Sequence, residues 1–134
     1  MEVSPTIALT LGDPAGIGPE IIVKAFQDEI LTINTRVLVV GDAKTLEKVA
    51  QKIAPEILIH SIESPDEAWY QPYTIDVIDL NNVSETLPTG QPSAESGKAS
   101  YEAIQKAVAL VLKEEVAAIV TCPINKKSLH LAGH

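Results

Sequence analysis

A glycine-rich turn near the amino terminus has the composition of a ligand-binding loop. Residues 12–20 (GDPAGIGPE) contain three glycines and two prolines between two apolar runs. Glycine has no Cβ, so such a turn lets the backbone approach a ligand closely. Its spacing, G-x-x-x-G-x-G, is neither the Walker A pattern, which needs a lysine after its last glycine, nor the dinucleotide pattern G-x-G-x-x-G. A tight turn with Asp13 as a local cap is the alternative to a binding loop.

A second candidate lies at 121–127 (TCPINKK), where another apolar run ends. Asn125 and Lys126 together suit a substrate with hydroxyl, carboxylate or phosphate groups. Lys126 could also transfer a proton if its pKa were lowered. The alternative interpretation is that both are solvated polar residues at the start of a helix.

A third candidate lies at 93–100 (SAESGKAS). Ser96 and Gly97 can present hydroxyl and backbone N–H groups at a helix amino terminus, where the helix dipole favours an anion, and Lys98 adds a positive charge. The residues alone favour the simpler interpretation, in which a serine caps a long helix.

The other metal-ligating or nucleophilic side chains form no clear pattern. His130 and His134 have the i,i+4 spacing that can bind zinc, but Gly133 disfavours a helix between them and no third ligand is evident. We therefore predict no metal site within the chain. Cys122, the only cysteine, excludes an internal disulfide and is interpreted as a small apolar residue, and His60 as a structural residue of a strand.

Strand-like and helix-like segments alternate along the chain and predict the elements that position these candidates. The predicted strands are 6–11, 36–40, 57–62, 74–80 and 117–121. The predicted helices start at Pro19 and span 42–55 and 96–115, with one long loop at 81–95. This order predicts an α/β fold, a mainly parallel sheet flanked by helices, with ligands bound at the carboxyl ends of its strands.

The apolar content of the strands predicts where they lie in the sheet. Because 6–11, 36–40 and 117–121 are almost continuously apolar, we expect them to be covered on both faces. Asp76 and Asp79 alternate with apolar residues in the fourth strand, which is therefore expected to be more exposed and nearer an edge.

The overall composition excludes several classes of function. The chain has 134 residues, of which 46% are hydrophobic and 21% charged, as in one soluble globular domain. Its formal net charge is −8 and no cluster of lysines and arginines exceeds a pair, so we expect no binding to nucleic acid or to an anionic membrane. No apolar stretch approaches the roughly 20 residues that span a bilayer, and the amino terminus lacks the basic region of a signal peptide. With the single cysteine, these features predict a cytoplasmic protein.

Three segments share their order and spacing with one known enzyme family. They are 10–22 (TLGDPAGIGPEII), 90–104 (GQPSAESGKASYEAI) and 117–133 (AAIVTCPINKKSLHLAG). They resemble the amino-terminal part of 4-hydroxythreonine-4-phosphate dehydrogenases. The resemblance implies a fold similar to that of isocitrate and isopropylmalate dehydrogenases, which lack the G-x-G-x-x-G site. Family chains are much longer, so residues 1–134 are expected to be the amino-terminal portion of a two-domain dehydrogenase, with an incomplete fold.

The resemblance also implies an activity. Family members oxidise 4-phosphooxy-L-threonine with NAD, NADP being the alternative cofactor, and the product loses CO₂ to give an aminoketone phosphate in pyridoxal 5′-phosphate (vitamin B6) biosynthesis. The family's homodimers hold a divalent metal such as zinc, magnesium or cobalt. Its histidine ligands are expected beyond His134, so this chain alone is expected to be inactive. Two alternatives stay open: a sister dehydrogenase for a phosphorylated four-carbon sugar acid such as threonate or erythronate, and a non-catalytic, ligand-binding short form.

Residue by residue, the resemblance implies two groups of cleft residues. The glycine-loop group is Gly12, Asp13, Pro14, Ala15 and Gly16, and the second group, in a T-x-P-x-N-K pattern, is Thr121, Pro123, Asn125 and Lys126. Asn125 and Lys126 are expected to contact substrate or cofactor, and Asp13 to orient the loop. Lys126 is the one candidate for a catalytic residue.

Overall fold

A parallel sheet with helices on both faces forms the fold. The structure is a computed structural model that describes residues 4–134, apart from the side chain of Ile30. The strands are β1 (Thr6–Thr10), β2 (Arg36–Gly41), β3 (Leu58–Ile62), β4 (Thr74–Asp79) and β5 (Ala118–Thr121). The helices are α1 (Gly18–Phe26), α2 (Glu29–Asn34), α3 (Ala43–Ile53), α4 (Ala94–Leu112) and α5 (Lys126–Leu131), with a 3₁₀ turn at Pro65–Glu67. The strand order is β3-β4-β2-β1-β5 and every neighbouring pair is parallel, which confirms the predicted α/β fold.

Local sequence signals explain where α1 and α3 begin. Pro19 stands in the first turn of α1, where its missing N–H costs no hydrogen bond, and Glu20 lies near the positive end of the helix dipole. Asp42 caps α3, since its Oδ2 accepts the N–H of Thr45 at 3.0 Å. The helix ends shortly before Pro55, as predicted.

Two helices differ from the prediction. α4 begins two residues earlier than expected because Ser93, not Ser96, is its N-cap: Ser93 Oγ accepts the N–H of Ser96 at 3.1 Å. The short helix α2 was not predicted, because it has only six residues, EILTIN, and three of them are β-branched.

The two faces of the sheet hold separate apolar layers. On one face α1 and α3 pack Ile22, Phe26 and Leu46 against the strands. On the other face α4 contributes Ala103, Ala107 and Leu110. No helix within residues 4–134 is both long enough and apolar enough to cross a membrane.

The position of β4 corrects the prediction that it lies nearer an edge. It runs between β3 and β2, and Asp76 is only 1% exposed. The Asp76 carboxylate lies 2.7 Å from His60 Nδ1 and accepts the N–H groups of Trp69 and Tyr70. A buried carboxylate is tolerated when its oxygens have such partners. Asp76 therefore marked a buried hydrogen-bonding site, while Asp79, at the end of the strand, is exposed.

The position of β5 corrects a second prediction, that it is covered on both faces. Within residues 4–134 it pairs with β1 on one side and with no strand on the other, and Val120 is 51% exposed. Continuous apolar character thus predicted the strand correctly but not its coverage.

Candidate ligand-binding site

The loop after β1 and the segment after β5 meet at the carboxyl end of the sheet. Thr10 and Thr121 are register partners, so the two strands end side by side. Just beyond them, the N–H of Asp13 donates to the carbonyl of Pro123 at 2.9 Å. The fold therefore brings together the two groups of residues predicted to line a cleft, at the edge where parallel sheets bind ligands.

Two of the loop's glycines are required by close packing inside the protein. Gly12 has φ +75°, and a Cβ there would lie 2.5 Å from the carbonyl oxygen of Pro123. A Cβ on Gly18 would overlap the carbonyl oxygen of Leu11. By contrast, Gly16 is exposed and the Ile17 side chain is 60% exposed. A ligand would therefore meet the loop at Gly16 and Ile17.

Asp13 holds the turn in place. It is 9% exposed, and its Oδ1 accepts the N–H of Ala15 at 2.9 Å. Pro14 and Ala15 are buried, and the carbonyl of Ala15 accepts the N–H of Gly90 from the long loop before α4 at 2.7 Å. Direct contact of these residues with a ligand remains a prediction.

The segment after β5 presents polar groups at the same edge. Asn125 is the N-cap of α5, since its Oδ1 accepts the N–H of Ser128 at 2.9 Å. This leaves the two amide N–H donors of its side chain for a ligand. Lys126, Thr121 and Pro123 are exposed. A ligand carboxylate or phosphate could reach Lys126 without any movement of the backbone.

In the third candidate segment, residues 93–100, Ser96 and Gly97 serve to pack two helices together and do not form the predicted anion site. Ser96 is fully buried, and its Oγ lies 3.1 Å from Ser128 Oγ of α5. Gly97 is packed so closely against the carbonyl of Ser128 that a Cβ would overlap it, and its N–H donates to Ser93. Ser96 and Gly97 therefore join α4 to α5 and have no group left for an anion. Lys98 is exposed on the opposite side of the helix turn.

Ser100 is a positioning residue that the sequence reasoning missed. It is 1% exposed, and its Oγ lies 3.0 Å from the carbonyl of Gly12 and 2.9 Å from that of Ser96. It thereby links α4 to the glycine loop. The available signal was its position four residues after Ser96, which places both serines on one face of the helix.

A groove beside the glycine loop was also not predicted from the sequence. It lies between Gly16 and Ile17 on one side, α3 on another, and residues 83–89 on the third. Lys48 and Lys52 of α3 line it. The available signal was the spacing of Lys44, Lys48 and Lys52 at i, i+4 and i+8, which places them on one helix face.

The described residues do not fit a metal ion. Among residues 4–134, no three histidine, cysteine, aspartate or glutamate side chains lie close enough together to hold one. His134 instead stacks on Tyr101, with 3.7 Å between ring centroids, and His60 is the partner of Asp76. Cys122 is buried, and burial raises the pKa of its thiol, which disfavours a nucleophilic thiolate.

The parallel sheet, with a glycine loop fixed to a polar segment at its carboxyl end, defines an α/β protein of the class that binds small ligands at its strand ends. A protein-family model described as "Pyridoxal phosphate biosynthetic protein PdxA" matches residues 33–134, and the chain belongs to this family. The resemblance found in the three sequence segments is thereby confirmed.

The names of the curated relatives state two different dehydrogenase activities. D-threonate 4-phosphate dehydrogenase of Cupriavidus necator is 42% identical over 130 residues, which are 97% of this chain and 39% of the relative. 4-Hydroxythreonine-4-phosphate dehydrogenase of Trichlorobacter lovleyi is 39% identical over 132 residues, again 97% of this chain and 39% of the relative. The chain thus spans about two fifths of the length of the curated relatives that it matches.

A solved structure has the same fold. The crystal structure of a 4-hydroxythreonine-4-phosphate dehydrogenase from Burkholderia phymatum matches with a TM-score of 0.95 and 43% identity. The match covers 99% of this chain and 40% of that one.

Proposed function

We propose that this chain forms one side of the catalytic cleft of a dehydrogenase that oxidises a phosphorylated four-carbon hydroxy acid, with NAD or NADP as the oxidant. The observation that supports this most is the hydrogen bond from Asp13 N–H to the Pro123 carbonyl, because it joins the two most family-specific segments at the ligand-binding edge. The names of the relatives supply the substrate class.

The proposed roles of the chain's residues follow from their geometry. Lys126 is exposed and pairs with the substrate carboxylate or phosphate, which are the anionic groups of such an acid. Asn125 donates a side-chain N–H to a substrate oxygen, while its Oδ1 stays on α5. Asp13 keeps the loop in position through Ala15. When bound, the dinucleotide would accept the hydride from the carbon that bears the oxidised hydroxyl.

No three histidine, cysteine, aspartate or glutamate side chains among residues 4–134 could together hold the divalent metal that the resemblance implies. Its histidine ligands, like the homodimer, remain predictions from the resemblance alone.

The charge of the site favours a sugar acid over an amino acid as substrate. The glycine loop, residues 12–20, contains two carboxylates: Asp13 is buried and bonded to the loop, and Glu20 lies 3.7 Å from Lys24. The polar side chains near Asp13 are those of Asn125 and Lys126, which suit a hydroxyl or an anion, and the positive charge of Lys126 would repel an ammonium group placed beside it. D-threonate 4-phosphate is therefore the first candidate. 4-Hydroxythreonine 4-phosphate is the second, because relatives and a solved structure bear its name.

The test is NADH formation by the native gene product with three acids side by side: D-threonate 4-phosphate, D-erythronate 4-phosphate and 4-phosphooxy-L-threonine. Each assay is run with a divalent metal and repeated after chelation. Turnover highest with D-threonate 4-phosphate supports the proposal, and turnover only with 4-phosphooxy-L-threonine moves the protein to the vitamin B6 activity. Ligand binding with no turnover of any acid would instead support the non-catalytic alternative.

A further inference from the structure

The groove between the glycine loop, α3 and residues 83–89 has the size of a small-molecule site. Its volume is about 440 Å³, within the range of roughly 300–1,000 Å³ that is typical of such sites. It opens at the carboxyl end of the sheet, beside the exposed part of the glycine loop. Its position is therefore suited to a ligand that also extends over that loop.

Lysines of α3 make one wall of the groove basic. Lys48 and Lys52 line it, and Lys44 continues the same helix face. Lys48 Nζ donates to the backbone carbonyl of Glu85 at 3.0 Å, which leaves two of its three N–H donors. Within residues 4–134, neither Lys48 nor Lys52 forms an ion pair with a carboxylate.

The acidic residues that line the groove are paired with other lysines. Glu20 lies 3.7 Å from Lys24, and Glu85 lies 3.9 Å from Lys44. The charges of Lys48 and Lys52 therefore remain available in a protein whose net charge is −8. Lys48 and Lys52 are the lining charges without an ion-pair partner within residues 4–134, and they favour an anionic ligand.

Apolar side chains from α3 and from the facing loops also line the groove. The Ile17 side chain is 60% exposed at the mouth of the groove, and Val49, Ile53 and Leu87 continue the apolar surface. Burying Ile17 would gain free energy, so its exposure beside a cavity is consistent with contact to a flat, weakly polar group. Thr45 and Thr89 add hydroxyls to the lining.

We propose that this groove binds the adenosine diphosphate part of the dinucleotide. This inference rests on the proposed function. Lys48 and Lys52 contact the phosphates, and the adenine lies against Ile17 and the apolar residues of α3. A compact anion without an aromatic base would use the lysines but leave the apolar walls exposed, which is why a nucleotide fits better than inorganic phosphate.

The first experiment is a titration of the ¹⁵N-labelled chain with ADP, followed by NMR. We expect the shifted amides to be those of residues 16–17, 45–53 and 83–89. In the double variant Lys48→Gln/Lys52→Gln, the Kd for ADP is expected to rise about tenfold, and its dependence on salt to weaken. Lys106→Gln/Lys113→Gln, which changes one residue of α4 and its C-cap, alters the net charge equally and is expected to leave the Kd unchanged.

A second pair of variants tests the apolar wall. Ile17→Ser is expected to weaken ADP binding several-fold but to leave the weak binding of pyrophosphate unchanged. Ile21→Ser is the matched control, because Ile21 is also exposed (42%) on α1 but does not line the groove. Circular dichroism of each variant checks that the fold is retained.

Each outcome separates this inference from the proposed function. Absence of ADP binding, shifts confined to other surfaces, or an equal loss in the α4 control would overturn the groove assignment, even if the native gene product reduces NAD. Conversely, ADP binding at these residues with no oxidation of any phosphorylated acid would uphold the groove and overturn the dehydrogenase proposal.

Discussion

At the scale of the single residue, Gly12 combines an unusual conformation with an unusually close neighbour. An alanine there must adopt φ +75° and place its Cβ 2.5 Å from the Pro123 carbonyl oxygen. We expect Gly12→Ala to lower the free energy of unfolding by about 2–4 kcal/mol, measured by urea denaturation. Gly90 also has φ +75° but no atom within 4 Å of its would-be Cβ, so Gly90→Ala should cost only about 1 kcal/mol. Equal losses in the two variants would show that the close approach contributes nothing.

The thiol of Cys122 gives the protein a specific dependence on alkaline pH. Burial raises its pKa, so the unfolded chain loses this proton at a lower pH than the folded protein does. The resulting stabilisation is complete below the unfolded pKa and is lost as the pH rises through the folded pKa. We expect the free energy of unfolding to fall more steeply with rising pH in the wild type than in Cys122→Ala. Parallel pH profiles for the two proteins would contradict this prediction.

Residue roles could be predicted from sequence where the partner is near in the chain. The contact of Asp13 with Ala15 and the cap formed by Asp42 follow from side chains that bond backbone two or three residues ahead. The contacts of Ser96 and Ser100 depend on which helix and loop pack against α4, and no local pattern specifies that. This is why a buried packing serine could be taken for part of an anion site.

At the scale of the element, the contact of α4 with α5 depends on the absence of a side chain at position 97. Alanine is normally the better helix former by about 1 kcal/mol. We nevertheless expect Gly97→Ala to destabilise the protein by about 1–3 kcal/mol, because its Cβ would overlap the Ser128 carbonyl and push α5 away. Faster hydrogen exchange in α5 is the measurement. Lys98→Ala, an exposed change one residue along, should leave the exchange unaltered, and a stabilising effect of Gly97→Ala would refute this packing.

The strands could be predicted from their apolar runs, but their order in the sheet could not. In β4, the sequence does not distinguish an aspartate that faces water from one that is buried. Asp76 is of the second kind, since it accepts hydrogen bonds from His60 and from two backbone N–H groups. For β5, apolar composition indicates the strand's tendency to be buried, while its actual coverage depends on which elements pack against its two faces. The spacing of its lysines predicts the basic face of α3, but only the fold shows that this face borders the glycine loop.

At the scale of the whole molecule, the two edges of the sheet differ in chemistry. β5 reads Ala118-Ile119-Val120-Thr121 and has no charged residue within it, whereas β3 contains His60 and is followed directly by Glu63. Uncharged edge strands with unpaired backbone groups tend to pair with other chains, and charged residues near an edge oppose this. We therefore predict that copies of this chain associate through the β5 edge.

Matched substitutions on the two edges test this directly. Val120 and Leu58 are 51% and 52% exposed, so Val120→Lys and Leu58→Lys make the same change at equal exposure. We expect sedimentation velocity to show association of the wild type that increases with concentration. Val120→Lys should weaken this association about tenfold or more, since a charge must then be desolvated at the contact, whereas Leu58→Lys should have little effect. A wild type that stays monomeric at all concentrations, or equal effects of the two lysine substitutions, would show that the chain does not self-associate through the β5 edge.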